Sequence, residues 1–139
     1  MLIRLANNSD APELKILNDL FNGEGCNTVE EIEDSLLRNE QEIICVADDG
    51  NKLVGFCCGQ VMKSMCYSYK YGEITELFVL EQYRRQGIGR HLLRATENEL
   101  NKCGVNHLHV LTGNENAAAQ TLYSLCGYIK TSEILFDKN

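Results

Sequence analysis

Apolar and polar residues alternate from Leu2 to Leu5, the period of a half-buried strand. The spacing then changes: Leu14, Leu17, Leu20 and Phe21 fall on one face of a helix. Asn8-Ser9-Asp10 offers N-cap side chains just before it, with Pro12 and Glu13 in the first turn. Asn22-Gly23-Glu24-Gly25 ends that helix. Thr28-Val29-Glu30-Glu31 reads as a capping box, in which Thr28 and Glu31 satisfy each other's backbone N–H groups. It opens a second helix with Val29, Ile32 and Leu36 on one face.

Ile43 to Ala47 reads as a strand, Asp48-Asp49-Gly50-Asn51 as a hairpin turn, and Leu53 to Met62 as the return strand. Lys63 to Tyr71 is polar and aromatic, a loop or irregular strand end, and Glu73 to Leu80 is a further strand. Gly87 to about Lys102 is a helix with Ile88, Leu92, Leu93 and Leu100 inward. His107 to Leu111 is a strand, and Asn116 to Cys126 is a helix with Gly127 just past its end. Tyr128 to Phe136 is the one strand that fits after that helix. The order β-α-α-β-β-β-α-β-α-β predicts an α/β (α+β) protein, a mixed sheet with helices on both faces. Without repeats, linkers or a shift in composition, residues 1–139 read as a single domain.

A net charge of −7 argues against nucleic acid as a partner and suits a cationic ligand. No apolar run is long enough for a membrane span, and no leader pattern opens the sequence, so a cytoplasmic location is expected. The seven cysteines include no C-x-x-C pair and are expected to be reduced and mostly buried. His107 and His109 form an H-x-H pair with no ligand-spaced acid or cysteine close by in sequence, so no metal site is expected.

Chemistry concentrates at Arg84-Arg85-Gln86-Gly87-Ile88-Gly89-Arg90, between a strand and a helix. Two glycines let a ligand approach the backbone, and the first N–H groups of a helix lack internal partners and lie at the positive end of its dipole. That combination suits a pyrophosphate. The G-K-[ST] end of a P-loop is absent, as is the third glycine of a dinucleotide fingerprint.

The pattern [Q/R]-x-x-G-x-[G/A] after the strand Glu73-Ile-Thr-Glu-Leu-Phe-Val79 resembles the coenzyme A-binding motif of the GNAT acetyltransferases. Asn116-x-x-Ala119-x-x-x-Tyr123-x-x-x-Gly127-Tyr128 resembles that family's second motif, and the resemblance covers nearly the whole chain. It implies a mostly antiparallel sheet and acetyl-coenzyme A as co-substrate. The backbone amides of Arg85, Gly87, Gly89 and Arg90 would hold the pyrophosphate, within the binding run Arg84 to Arg90 that includes Gln86 and Ile88. Leu77 to Val79, with Phe78 between, would pair with the pantetheine arm where the strand splays from its neighbour at a bulge. The Leu77 N–H would meet the acetyl oxygen, Asn116 and Ala119 would lie near the coenzyme arm, and Tyr123 would protonate the departing thiolate. Asn116 is alternatively an N-cap alone, and Tyr123 alternatively a core residue.

Glu73 and Glu76 are the candidate bases, each alternatively a solvated strand residue with a base acting through water, and strand alternation is expected to send them to opposite faces. The acceptor implied is a small cationic primary amine, since Ser132 to Asp137 is similar to the terminal strand of compact aminoglycoside acetyltransferases. Asp19, Glu24, Glu30, Glu31 and Glu33 either line an acidic mouth or form a solvated helix face. A protein or peptide N-acetyltransferase and a non-catalytic acyl-coenzyme A sensor are the alternatives. A homodimer paired through edge strands is also implied by the resemblance.

Overall fold

Alternation along the strands leaves apolar side chains on both faces of one sheet, and helices cover each face in turn. A computed structural model of the protein describes all 139 residues. The strands are β1 (Leu2–Leu5), β2 (Glu42–Asp48), β3 (Leu53–Met62), β4 (Lys70–Val79) and β5 (Val105–Val110). The helices are α1 (Ala11–Asn22), α2 (Val29–Arg38), α3 (Ile88–Lys102) and α4 (Ala117–Leu125). Sheet order follows chain order, β1-β2-β3-β4-β5. The first three pairings are antiparallel and β4–β5 is parallel, so the sheet is mostly antiparallel as expected.

Each face has its own core. On one, Leu92, Leu93 and Leu100 of α3 bury against Cys45, Ala47, Cys57 and Ile74, with Tyr123 of α4 and Cys126 just past its end packed alongside. On the other, Ala11, Leu14 and Leu17 of α1 and Ile32 of α2 bury against Val46, Phe56 and Cys58. Leu20 of α1 stays exposed, so the apolar face of that helix is shorter than its pattern. Cys45, Cys57 and Cys58 are buried thiols, and burial pushes Cys57 up to about 12. Cys26 and Cys66 are exposed, against the expectation of mostly buried cysteines.

The Thr28–Glu31 capping box is present in both directions. The entry to α1 differs from its expected form. Asn7 caps a short 3₁₀ turn at Asn8–Asp10, and the Asp10 carboxylate accepts from the Asn7 N–H at 2.8 Å. Asp10 is buried and also takes two bonds from the Arg4 guanidinium, at 2.8 and 3.0 Å, while Arg4 reaches Asp48 at 3.1 Å. This cluster ties β1, β2 and the start of α1 together. Arg4 holds the Asp10 carboxyl below its ordinary range. Its stabilisation is present above the ordinary carboxylate pKa and fades as pH falls through the lowered value. Asp10→Asn is therefore expected to cost about 2 kcal/mol at neutral pH, less at acid pH, measured by urea unfolding.

The expected last strand does not form. From Ile129 onward no residue is in a strand, and Ile134, Leu135 and Phe136 are exposed. The pattern marks a segment able to pair, but no backbone hydrogen bond joins it to the sheet.

Candidate active site

The turn between β4 and α3 is fixed at its base by Tyr83, whose hydroxyl donates to the Asp49 carboxylate at 2.8 Å. Arg84 then folds back: its Nε donates to the Val79 carbonyl at 2.8 Å, and its guanidinium lies 5.7 Å from the centre of the Phe78 ring. Arg84 thus braces the turn. Arg85 and Arg90 are exposed and form no salt bridge, so their charge faces solvent at the turn.

Arg85 has φ +63° and Gly87 φ +80°. A left-handed arginine is strained by about 1 kcal/mol or more, which marks a backbone shaped for a purpose. Positive φ at alternate residues turns successive N–H groups into one concavity. The first bond of α3 runs from the His91 N–H to the Gly87 carbonyl. The N–H groups of Arg85, Gln86, Gly87, Ile88, Gly89 and Arg90 have no partner in the chain. A Cβ on Gly89 would lie 3.6 Å from Leu122 of α4 and 3.9 Å from Val79 of β4, so this residue brings the three elements together.

Beside the turn the sheet divides. β5 pairs with β4 only as far as Ile74↔Val110, leaving Thr75 to Val79 without a neighbour on that side. The Leu80 N–H donates to Val54 of β3. Alternation therefore turns the N–H groups of Leu77 and Val79 away from β3, toward the open side. Phe78 points the other way and stacks on Phe21 of α1 with ring centres 5.0 Å apart.

A β-bulge changes where the carboxylates point. Cys58 pairs with Glu76 while Gly59 pairs with Ile74, so Thr75 is an extra residue in β4. Ile74 and Leu77 consequently both pack toward α3, and Glu73 and Glu76 share the opposite, α1–α2 face. The expected opposite-face placement of these two glutamates is thus corrected. Sequence alternation alone cannot reveal a bulge. Glu42, Gln60, Glu73 and His109 lie in register across four strands on this face. Gln60 donates to Glu42 at 3.3 Å, and His109 Nε2 lies 3.6 Å from Glu73. Burial raises the Glu76 carboxyl above its ordinary range, the Asn22 side chain offsets part of this, and the charge of Glu42 adds to it.

Tyr123 stands on the α3 side, half-buried, its ring 5.9 Å from that of Tyr128. Burial, with the nearby Cys57 and Glu76, raises its phenol above the ordinary value. The Tyr128 hydroxyl donates to Glu97 at 2.6 Å, whereas the Tyr123 hydroxyl makes no hydrogen bond to protein. Asn116 is the N-cap of α4, its Oδ1 accepting from the Ala119 N–H at 3.1 Å. The amide Nδ2 of Asn116 stays available. Of the acidic residues read at α1 and α2, Asp19 pairs with Lys15 and Glu31 is held in its capping box, while Glu24, Glu30 and Glu33 form no salt bridge.

Residues 13–128 match the family model described as Acetyltransferase (GNAT) family. The chain belongs to the GNAT acetyltransferases. It is 33% identical over 112 residues to an uncharacterised N-acetyltransferase of Chlorobaculum tepidum, covering 81% of this chain and 68% of that protein. It is 27% identical over 111 residues to N-acetyltransferase 8 of Homo sapiens, covering 80% of this chain but only 49% of that longer protein. In fold it is similar to the aminoglycoside N-acetyltransferase AAC(6')-Iy solved in complex with CoA, with TM-score 0.85, 19% identity, and coverage of 99% of this chain and 93% of that one.

Several features of this GNAT chain were not foreseen from its residues. Thr75 carries no signal of its bulge, and Arg85 gives no hint of its left-handed backbone. The Glu73–His109 pair joins residues far apart in sequence, and only the strand register brings them together. No helix is long and apolar enough to cross a membrane, and no group of three or more His, Cys, Asp or Glu is placed to hold a metal ion.

Proposed function

We propose that this GNAT chain transfers the acetyl group of acetyl-coenzyme A directly to a primary amine of a small cationic molecule, of the aminoglycoside or polyamine kind. The observation that carries the reading is the unpartnered N–H run from Arg85 to Arg90 beside the open edge at Leu77 and Val79. The pyrophosphate would lie in the turn, with the amides of Arg85, Gly87, Gly89 and Arg90 as donors. The pantetheine would extend along β4 as an added strand, near Asn116 and Ala119.

Catalytic groups stand on both sides of this edge. The α1–α2 face supplies Glu76, whose raised carboxyl suits a base better than an ordinary one. Glu73 holds the ammonium form of the acceptor. Glu76 takes the proton, the amine attacks the acetyl carbon, and the Leu77 N–H donates to the oxyanion that forms. Collapse of the intermediate breaks the C–S bond and releases a thiolate on the α3 side, where the unengaged Tyr123 hydroxyl protonates it; the nitrogen loses its second proton to solvent, solvent restores the phenol, and Glu76 passes its proton to solvent. Both a phenol available to the leaving group and a desolvated carboxylate favour an enzyme over a sensor. A cytoplasmic setting and a homodimer go with this reading, and the free thiols suit the former.

The deciding test is melting with and without acetyl-coenzyme A. Ligand at about 100 times its dissociation constant stabilises by about 2.7 kcal/mol, which is about 8 °C in Tm for a domain of this size. No shift at millimolar ligand would remove the donor site and the enzyme reading with it. Thiol release then ranks amines, and turnover on peptides but not on aminoglycosides or polyamines would move the assignment to a protein acetyltransferase. The acid limb of kcat/KM is expected above the ordinary carboxylate range, because Glu76 must be ionised to act. Glu76→Gln should remove that limb, and a limb that survives it would assign the base to Glu73 or to water.

A further inference from the structure

A left-handed residue relaxes to an easier conformation unless its surroundings over-determine it. Arg85 is such a residue, φ +63°, and the N–H groups from Arg85 to Arg90 have no partner in the chain. Most bonds that shape this turn are local. The Tyr83 N–H donates to Leu80, the Arg84 N–H to Glu81, and the Arg84 Nε to Val79 at the end of β4. Among the hydrogen bonds of residues 81–87, only that of the Tyr83 hydroxyl leaves the stretch running from β4 into α3.

The acceptor of that bond is itself fixed. Asp49 opens the turn between β2 and β3. Its Oδ1 accepts from the N–H groups of Asn51 and Lys52, both at 2.8 Å, which locks the side chain. Its Oδ2 is then aimed at Tyr83 and accepts from the hydroxyl at 2.8 Å. The Asn51 and Lys52 N–H groups, with the Tyr83 hydroxyl, hold the Asp49 carboxyl below its ordinary range, so it remains an acceptor. Asp49 in return raises the Tyr83 phenol, which keeps its proton and donates. Lys52 Nζ lies 5.8 Å from the centre of the Tyr83 ring, and that ring packs on the α3-side core. The neighbouring carboxylate has other partners: Asp48 accepts from the Gly50 N–H at 2.8 Å and from Arg4 at 3.1 Å. Two adjacent aspartates thus hold different things, Asp48 the cluster at β1 and α1, Asp49 the turn before α3.

We infer that Asp49 is a positioning residue for the coenzyme: through the Tyr83 hydroxyl it holds the turn in the shape that presents the N–H groups of Arg85 to Arg90, so the β2–β3 hairpin sets coenzyme affinity from outside the site. The inference rests on the coenzyme reading of that turn. Ordering a loose loop opposes binding, and a turn that spends only part of its time in the competent shape binds more weakly by that fraction. Glu76, Leu77 and Tyr123 make no hydrogen bond to residues 49–52. Loss of the Asp49–Tyr83 bond therefore acts on affinity and leaves the acetyl-transfer step alone.

Calorimetry with coenzyme A, run below the melting temperature of every variant, tests this. Asp49→Ala and Tyr83→Phe should each weaken binding about fivefold or more. The double variant should match the weaker single within about twofold, because both substitutions remove the same bond. Asp48→Ala loosens the same hairpin at its other carboxylate. It should lower Tm yet leave affinity within about twofold of the parent. With saturating acetyl-coenzyme A and the amine that thiol release ranks first, kcat of Asp49→Ala and Tyr83→Phe should stay within about twofold of the parent. Losses that multiply in the double variant would overturn the inference. So would an equal loss in Asp48→Ala, since hairpin stability would then be the cause, and so would a kcat that falls in step with affinity. A parent that does not bind coenzyme A would remove the coenzyme reading itself, whereas a parent that binds, with Asp49→Ala and Tyr83→Phe equally tight, would remove this inference alone.

Discussion

Gly87→Glu is expected to abolish coenzyme binding while leaving the protein folded. The backbone at Gly87 is left-handed, φ +80°, so any side chain there costs about 1–2 kcal/mol. That is a fraction of the 5–15 kcal/mol typical of a domain. Space is not the obstacle, because a Cβ at this position meets only the His91 ring at 3.8 Å. The effect on binding comes from charge. A carboxylate enters a concavity of N–H groups that have no other partner, at the positive end of α3, and would repel a pyrophosphate from the proposed site. Affinity should fall by at least 100-fold, about 3 kcal/mol, measured by calorimetry with coenzyme A. Gly87→Ala adds the strain without the charge and should lose far less. Equal affinity for parent and Gly87→Glu would place the phosphates elsewhere.

Tyr123→Phe is expected to lower kcat by about 100-fold with the dissociation constant of acetyl-coenzyme A within about twofold of the parent. The substitution keeps the ring and its packing against Tyr128 and the core, and removes only a hydroxyl that has no partner in the chain. The comparison that gives this result its meaning is Tyr128→Phe. Its hydroxyl is bound to Glu97, so losing it should reduce stability by about 1 kcal/mol and leave turnover near normal. Because the phenol of Tyr123 is raised, the basic limb that Tyr123 imposes on kcat should lie above its ordinary pKa of about 10. If binding falls together with turnover, Tyr123 holds the fold instead of donating a proton.

Much of this architecture was legible before any coordinates. β3 begins and ends where it is expected, at Leu53 after the hairpin turn and at Met62. The Thr28–Glu31 box opens α2, and Gly127 follows α4 with positive φ, because capping chemistry is local and leaves a local mark. The turn between β4 and α3 was legible for the same reason: glycine spacing and helix onset sit in one short stretch. What depends on pairing between distant strands was not. The face of Glu76 is decided by a bulge opposite Cys58, and the Glu73–His109 pair by the parallel register of β4 and β5. The strand expected at Tyr128 to Phe136 has the right pattern, but a pattern states only what a segment can do, and residues 129–139 make no backbone hydrogen bond to the sheet.

Thr75 has a consequence of its own. Inserting one residue between Ile74 and Glu76 inverts the odd–even parity of everything that follows in β4. Glu73 and Glu76 differ in parity along the sequence, and the extra residue cancels that difference, which is how two carboxylates three positions apart come to share one face. Deleting Thr75 should therefore leave Glu76 opposite Cys58 and Leu77 opposite Cys57, and should remove only the local bend and added twist of β4.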